Sequence, residues 1–332
     1  MDFKANKNKK LNLIFCGTPD FCLPTLDLLI NHPNIFLSHI ITPTSKPVGR
    51  GHKIAPPPVA QFALDNNISL FQTENINKEI EFLNQFQLPD GKNQPDIILV
   101  LAFCQFLAKK ILDLPAIGCF NIHASILPKL RGAAPIQHAI LQGEKSTGIT
   151  IQKMVKKMDA GDVVQKDIIS ISEKETGGQL FTRLKFLAAL STNSFIENVL
   201  NSSSNSSLNY EKQDEANVTY APCLQREDGH INFAKDDYIT IDRKVRALDP
   251  WPGTYCFLNN KRLKIFEVTP ITMNINIKAG EVKRDMGGLI VGINPGTPGI
   301  KVLRLSRVQL EGKKCCSDVE LLNGLREDII LS

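Results

Sequence analysis

Asn121 and His123 stand two residues apart at the end of an apolar run, Cys119–Phe120–Asn121–Ile122–His123. On a strand such residues share a face. Both polar side chains would then emerge near the carboxyl end of a sheet strand, the usual ligand crevice of open α/β sheets. Asp159 follows in Met158–Asp159–Ala160–Gly161–Asp162, just past the apolar strand Gly148–Gln152. An amide donor, an imidazole and a carboxylate suit acyl-group transfer. Asn and a protonated His can donate to a developing oxyanion, while the carboxylate orients the His and accepts, directly or through water, the proton the nucleophile loses. No Ser or Cys nucleophile is needed if the acceptor amine itself attacks. The same residues also fit a hydrogen-bonded interior histidine beside an unrelated turn carboxylate, and spacing alone does not separate the two readings.

Other chemistries lack their residues. The first βα turn, Gly17–Thr18–Pro19–Asp20–Phe21, holds one glycine where a dinucleotide fingerprint needs GxGxxG, and no GxxxxGK[ST] phosphate loop occurs. The eight cysteines form no CxxC and no Cys/His cluster. They read as reduced thiols of a cytosolic protein, so no metal is expected. Net charge is +5, which permits an anionic partner without requiring one. No apolar run reaches the roughly 18 residues of a membrane span. Lys4, Lys7, Lys9 and Lys10 precede neither an uncharged apolar core nor a small-residue cleavage site, so no secretory signal is read and a cytoplasmic location is expected.

These residues need elements to position them. With 332 residues, 42% of them hydrophobic and 22% charged, the chain has the composition of a globular protein of about two domains. Buried-strand patterns occur at Leu11–Cys16, Ile35–Thr42, Leu70–Gln72, Ile97–Ala102 and Cys119–His123. Helical patterns fall between them at Leu23–Ile30, Val59–Asn66 and Ile76–Phe86. Such alternation predicts an α/β fold with a parallel sheet and right-handed crossovers. The character changes at Asn201–Ser207, a run of only Asn and Ser that reads as linker. Beyond it, strand-like segments recur at His230–Phe233, Gly253–Leu258, Arg262–Thr269, Gly288–Gly292 and Lys301–Val308, with helical patterns at Asp236–Ala247 and Asp318–Leu325. A small β-barrel with one or two helices fits this pattern. The expected organisation is a catalytic domain over 11–200, a linker over 201–208 and a smaller domain over 209–332. The last carries 18 Lys and Arg against 17 Asp and Glu, so any nucleic-acid contact there must come from one face rather than bulk charge.

The segment Gly118–Cys119–Phe120–Asn121–Ile122–His123–Ala124–Ser125–Ile126–Leu127–Pro128 resembles the signature of the formyltetrahydrofolate-dependent formyltransferases. Arg131–Gly132–Ala133–Ala134–Pro135–Ile136–Gln137 continues it and Met158–Asp159–Ala160–Gly161–Asp162 completes it. Phe15–Cys16–Gly17–Thr18–Pro19–Asp20–Phe21 and the loop Lys46–Pro47–Val48–Gly49–Arg50–Gly51–His52–Lys53 resemble the branch of that superfamily whose acceptor is methionyl-tRNA. So do Val218–Thr219–Tyr220–Ala221, Asp249–Pro250–Trp251–Pro252–Gly253 and Gly312–Lys313–Lys314 near the far end. The resemblance covers about residues 11–325.

It implies a Rossmann-like formyltransferase domain followed by an OB-like β-barrel domain that binds tRNA. It implies transfer of a formyl group from 10-formyltetrahydrofolate to the α-amine of initiator methionyl-tRNA, with no metal and no membrane partner. Asn121, His123 and Asp159 fall on the family's catalytic positions. Ser125, Ile126, Leu127 and Pro128 fall on its folate-contacting Ser-Leu-Leu-Pro segment. Arg50 falls on its acceptor-stem loop, with Lys46 and Lys53 beside it as further tRNA contacts. The family's Ala-Tyr-Gly-Gln-Ile-Leu-Pro appears here as Ala102–Phe103–Cys104–Gln105–Phe106–Leu107–Ala108, a departure near the expected folate pocket. A formyltransferase acting on glycinamide ribonucleotide or an amino sugar would lack the Arg50 loop and the trailing barrel. A non-enzymatic RNA-binding protein would not need Asn121, His123 and Asp159 together.

Overall fold

The structure, a computed structural model, describes residues 10–48, 52–87, 93–202, 208–272, 277–283, 287–296, 299–325 and 331. The chain forms two compact units. One comprises 1–135, 146–169 and 181–221, and the other 136–145, 170–180 and 222–332.

In the first unit β1 (Leu11–Gly17) leads through α1 (Leu23–Asn31) to β2 (Ile35–Thr42). A short ribbon follows, β3 (Lys46–Val48) and β4 (Lys53–Ala55), then α2 (Pro58–Asp65) and β5 (Leu70–Gln72). The chain continues through α3 (Ile80–Asn84), β6 (Ile97–Leu101), α4 (Lys109–Leu112) and β7 (Gly118–His123). After α5 (Pro135–Leu141), which from Ile136 on belongs to the second unit, come β8 (Ser146–Lys153), β9 (Val163–Ser170) and the long α6 (Gly177–Asn201), which belongs to the first unit from Phe181 on. The sheet order is β5-β2-β1-β6-β7-β8-β9.

The strands from β5 to β7 pair in parallel. β6 is apolar and buried at every position, as a strand covered on both faces must be. The chain moves outward from β1 to β2 and β5, then crosses to β6 on β1's other side, so the topological switch lies between β1 and β6. The expected parallel sheet carries one antiparallel neighbour: β8 runs antiparallel to β7, pairing Asn121 with Gln152 and His123 with Thr150. A correction concerns the helix expected over Ile76–Phe86, which is divided. Asn75 caps a 3-10 turn at Ile76–Lys78, and Glu79 leaves helical geometry where its carboxylate accepts a 2.6 Å bond from the Thr73 hydroxyl.

The second unit contains α7 (Tyr238–Ala247), β10 (Thr254–Leu258), β11 (Lys261–Ile271), β12 (Val282–Lys283), β13 (Ile290–Gly292), β14 (Val302–Leu310), β15 (Cys316–Ser317) and α8 (Asp318–Asn323). Its antiparallel sheet has the order β10-β11-β14-β13-β12, with β15 also on β14. Register shifts between β11 and β14, around Glu267, curl this sheet into the OB-like partial barrel. Asp237 caps α7 by accepting from Thr240 N at 2.9 Å, and Ile241 and Val245 turn into the core with Leu263, Leu303 and Leu305. His230–Phe233 is not a strand and contributes a single bridge, His230 to Tyr255.

All eight cysteines are free thiols. Burial pushes the thiols of Cys16, Cys22 and Cys256 up to about 12, as expected of cysteines acting as small hydrophobes. Among the described residues no helix is long and apolar enough to cross a membrane.

Candidate active site

β7 lies beside β6, one strand away from the switch point, with Val100 of β6 opposite Asn121. Cross-strand partners share a face, so the β7–β8 register puts Asn121, His123, Thr150 and Gln152 on one side of the sheet. Asp159 arrives from the turn after β8, in the left-handed region at φ +50°. Three donors converge on its carboxylate. Asn121 Nδ2 and Gln152 Nε2 donate to Oδ1 at 3.2 and 3.1 Å, and the Gly132 backbone N–H donates to Oδ2 at 2.9 Å.

The His123 ring is buried, and its Nε2–H donates to the Leu130 carbonyl at 2.9 Å. Leu130 O accepts only, so this bond fixes the ring and turns Nδ1 toward Asp159, 3.7 Å from Oδ1. The backbone carbonyl therefore orients the imidazole, with the carboxylate beside the other nitrogen. The structure thus brings Asn121, His123 and Asp159 together.

The Ser125–Pro128 loop leaves β7 directly. Thr150 braces it by donating its hydroxyl to Ser125 O at 2.6 Å and accepting from Leu127 N at 3.2 Å. Ser125 closes the loop on itself through Lys129 O at 2.6 Å. Ser125 and Leu127 are buried, while Ile126 and Pro128 are half-buried. The Phe103–Ala108 segment is anchored to the far loop. Gln105 donates to Thr73 O and accepts from Ile76 N, and Asn77 bridges Phe106 O and Ala108 N.

Sequence reasoning missed a second layer. Arg131, 2% exposed, donates through Nε and Nη2 to Gln213 Oε1 and through Nη2 to Glu215. Gln213 Nε2 faces Asp159 O, Gly161 O and Gln152 Oε1 at 2.9, 2.7 and 3.2 Å. Lys157 reaches the other oxygen of Glu215 at 2.7 Å, and the hydrogen bonds from Arg131 and Lys157 draw that carboxyl down to about 2. Gln152 carried a usable signal, since it lies two residues beyond Thr150 on the predicted strand; Gln213 carried none.

The basic loop after β2 is a two-stranded antiparallel ribbon rather than irregular chain. Its register pairs Lys46 with Ala55 and Val48 with Lys53, so positions 46 and 53 share a face. Lys46 also stands 3.7 Å from Glu74. Arg50, between the two strands in sequence, lies outside the described residues, as does 203–207 of the expected linker.

An amide, an imidazole and a carboxylate converging at the carboxyl end of β7 in a mostly parallel sheet are the arrangement of a group-transfer enzyme. Residues 11–193 match the formyl transferase family and residues 223–326 its C-terminal domain, and the chain belongs to that family. It is 38% identical to the methionyl-tRNA formyltransferase of Geobacter metallireducens, across 95% of this chain and 96% of that one. It is 36% identical to the methionyl-tRNA formyltransferase of Halothermothrix orenii, across 92% and 94% respectively. Among solved structures, the N-formyltransferase from Helicobacter canadensis in complex with folinic acid and dTDP-3-aminofucose shares the fold at a TM-score of 0.62. It covers 89% of this chain and 98% of that one at 17% identity.

Proposed function

We infer that this enzyme transfers the formyl group of 10-formyltetrahydrofolate to the α-amine of methionine esterified to initiator tRNA, giving formylmethionyl-tRNA for translation initiation. The observation that carries the reading is the meeting of Asn121, His123 and Asp159 at the end of β7, in a chain that matches methionyl-tRNA formyltransferases over nearly its full length. A catalytic domain followed by a smaller tRNA-binding domain, and a cytoplasmic location, belong to the same reading, with the strap from Leu208 to Ala221, expected in the second domain, grouped instead with the first unit.

The reacting amine must be neutral, and a free α-amino group titrates near 7.7–8.0. Its attack on the formyl carbon forms a tetrahedral oxyanion. Asn121 Nδ2 carries two N–H bonds. One is held by Asp159, and the other is available to the oxyanion. His123, with Nε2 committed to Leu130 O, donates from protonated Nδ1, and Asp159 at 3.7 Å compensates the imidazolium charge. The Asp159 carboxylate has about four lone-pair sites, and three donors occupy three of them. The remaining one accepts the proton released by the amine. Collapse breaks the bond from the formyl carbon to the folate nitrogen, which leaves protonated, so the proton lost by the amine balances the one gained by the leaving group. Ser125, Ile126, Leu127 and Pro128 shape the folate site, and their buried brace to Thr150 supports that role. Lys46 and Lys53, on one face of the β3–β4 ribbon, contact the tRNA together with Arg50.

Mass spectrometry of methionyl-tRNA incubated with the enzyme and 10-formyltetrahydrofolate tests the reading. Addition of one formyl group to the methionine is expected. Formylation of an amino sugar or of glycinamide ribonucleotide instead would replace it.

A further inference from the structure

We propose that Gln213 is a positioning residue for formyl transfer: its amide, oriented by the buried Arg131 guanidinium, holds the turn that carries Asp159. The inference rests on the catalytic reading of Asp159.

The orientation of that amide follows from chemistry. A guanidinium only donates, so the Gln213 oxygen must face Arg131 Nε and Nη2, at 3.1 and 2.8 Å. The amide nitrogen is thereby turned onto three acceptors, Asp159 O, Gly161 O and Gln152 Oε1. Two routes then lead to the catalytic carboxylate. The first is direct: Gln213 grips the backbone of Asp159, a non-glycine residue in left-handed conformation whose turn needs outside support. The second runs through Gln152. Its oxygen is taken by Gly161 N at 3.1 Å and by Gln213, which leaves its own amide nitrogen to donate to Asp159 Oδ1.

Gln213 is itself well fixed. The segment around it pairs Glu211 with Val163 through two 2.8 Å backbone bonds. It then pairs Thr219 and Ala221 with Arg131. The ends of the segment are therefore tied to the strand and loop that flank the site, and Gln213 lies between those ties. Glu215 adds a second acceptor for Arg131 from the same segment.

This arrangement specifies a glutamine. A glutamate at 213 would keep an oxygen for Arg131 but would turn a second oxygen onto three oxygen acceptors. A methionine would fill similar space with neither donor nor acceptor.

The test compares full-length wild type with Gln213→Met, Gln213→Glu and Asp159→Asn. Steady-state formylation of initiator methionyl-tRNA by 10-formyltetrahydrofolate is measured together with thermal unfolding. Both Gln213 variants should lose about 10- to 100-fold in kcat, with KM for each substrate within about threefold of wild type. Gln213→Glu keeps Arg131 paired, so this variant keeps the question answerable if Gln213→Met folds poorly. Normal kcat in Gln213→Glu would overturn the proposal, reducing Gln213 to a partner for a buried cation. A rise in KM with kcat unchanged would overturn it in favour of a binding role. Asp159→Asn separates the two levels. An inactive Asp159→Asn beside active Gln213 variants overturns positioning alone, whereas an active Asp159→Asn overturns the catalytic reading and this inference with it.

Discussion

Replacing His123 by Ala should divide its two contributions into separately measurable parts. On the catalytic side the change removes one donor aimed at the oxyanion. Loss of one such donor typically costs about 10²- to 10³-fold in kcat, or about 2.7–4 kcal/mol. On the structural side it removes the 2.9 Å bond to Leu130 O, at a side chain only 6% exposed. Stranding a buried carbonyl costs about 1–3 kcal/mol. In a chain of 332 residues each kcal/mol moves the melting temperature by about 1.4 °C, so a fall of about 1–4 °C is expected. The assay is steady-state formylation at 20 °C with both substrates saturating, alongside calorimetric unfolding. The variant is then folded during the kinetic measurement, and lost turnover is not lost protein. KM for methionyl-tRNA should stay within about twofold, because the proposed role of His123 is at the reacting centre and not on the tRNA body. Turnover within threefold of wild type would refute the role, whatever the melting temperature does.

Four further outcomes follow from the same geometry. Gly161→Ala places a Cβ 1.6 Å from Lys153 O, so it should cost about 1–3 kcal/mol or more by calorimetry and depress kcat by shifting the adjacent Asp159. Thr150→Val keeps the shape but removes the hydroxyl that ties Ser125 and Leu127, and should raise KM for the folate several-fold while leaving KM for the tRNA unchanged. Burial raises the Asp318 carboxyl, but the bonds from Arg304 and Leu289 N outweigh it, so its folded pKa lies below the unfolded value near 3.9. Its stabilisation is therefore full above that value and lost as pH falls through the folded one, and the gap in unfolding free energy between wild type and Asp318→Asn should be constant from pH 8 to 5 and narrow below about pH 4. Arg50→Ala should lower formylation of initiator methionyl-tRNA; recovery in Arg50→Lys would assign the effect to charge, and no recovery would assign it to stacking or a bidentate contact.

The parallel core was legible because β1, β6 and β7 are nearly uninterrupted apolar runs. The pair Asn121 and His123 was legible because strand periodicity needs only two residues. The antiparallel direction of β8 was not, since an apolar strand reads the same either way along its partner. β9 escaped because it is mostly half-buried and lacks a clean alternation. The β3–β4 ribbon has arms of three residues, one containing Pro47, and looks like a loop in sequence. Arg131 and Gln213 are 82 residues apart, and neither polar residue marks the other. The side chains proposed as catalytic were thus singled out by local pattern and given their roles by the family resemblance, whereas the side chains that brace them depend on long-range closure of the chain.

The strap from Leu208 to Ala221 sets where the chain can be shortened. It follows the Asn/Ser run, so a truncation at Asn201 looks like a natural catalytic fragment. Yet these residues lie within the first compact unit and supply both acceptors of the Arg131 guanidinium. Ending the chain at Asn201 would remove both of these acceptors from Arg131 and, with Gln213, the bonds to the Asp159 and Gly161 carbonyls. A catalytic fragment therefore has to extend at least to Ala221. A shorter piece that proved inactive would report the loss of this strap before it reported anything about tRNA.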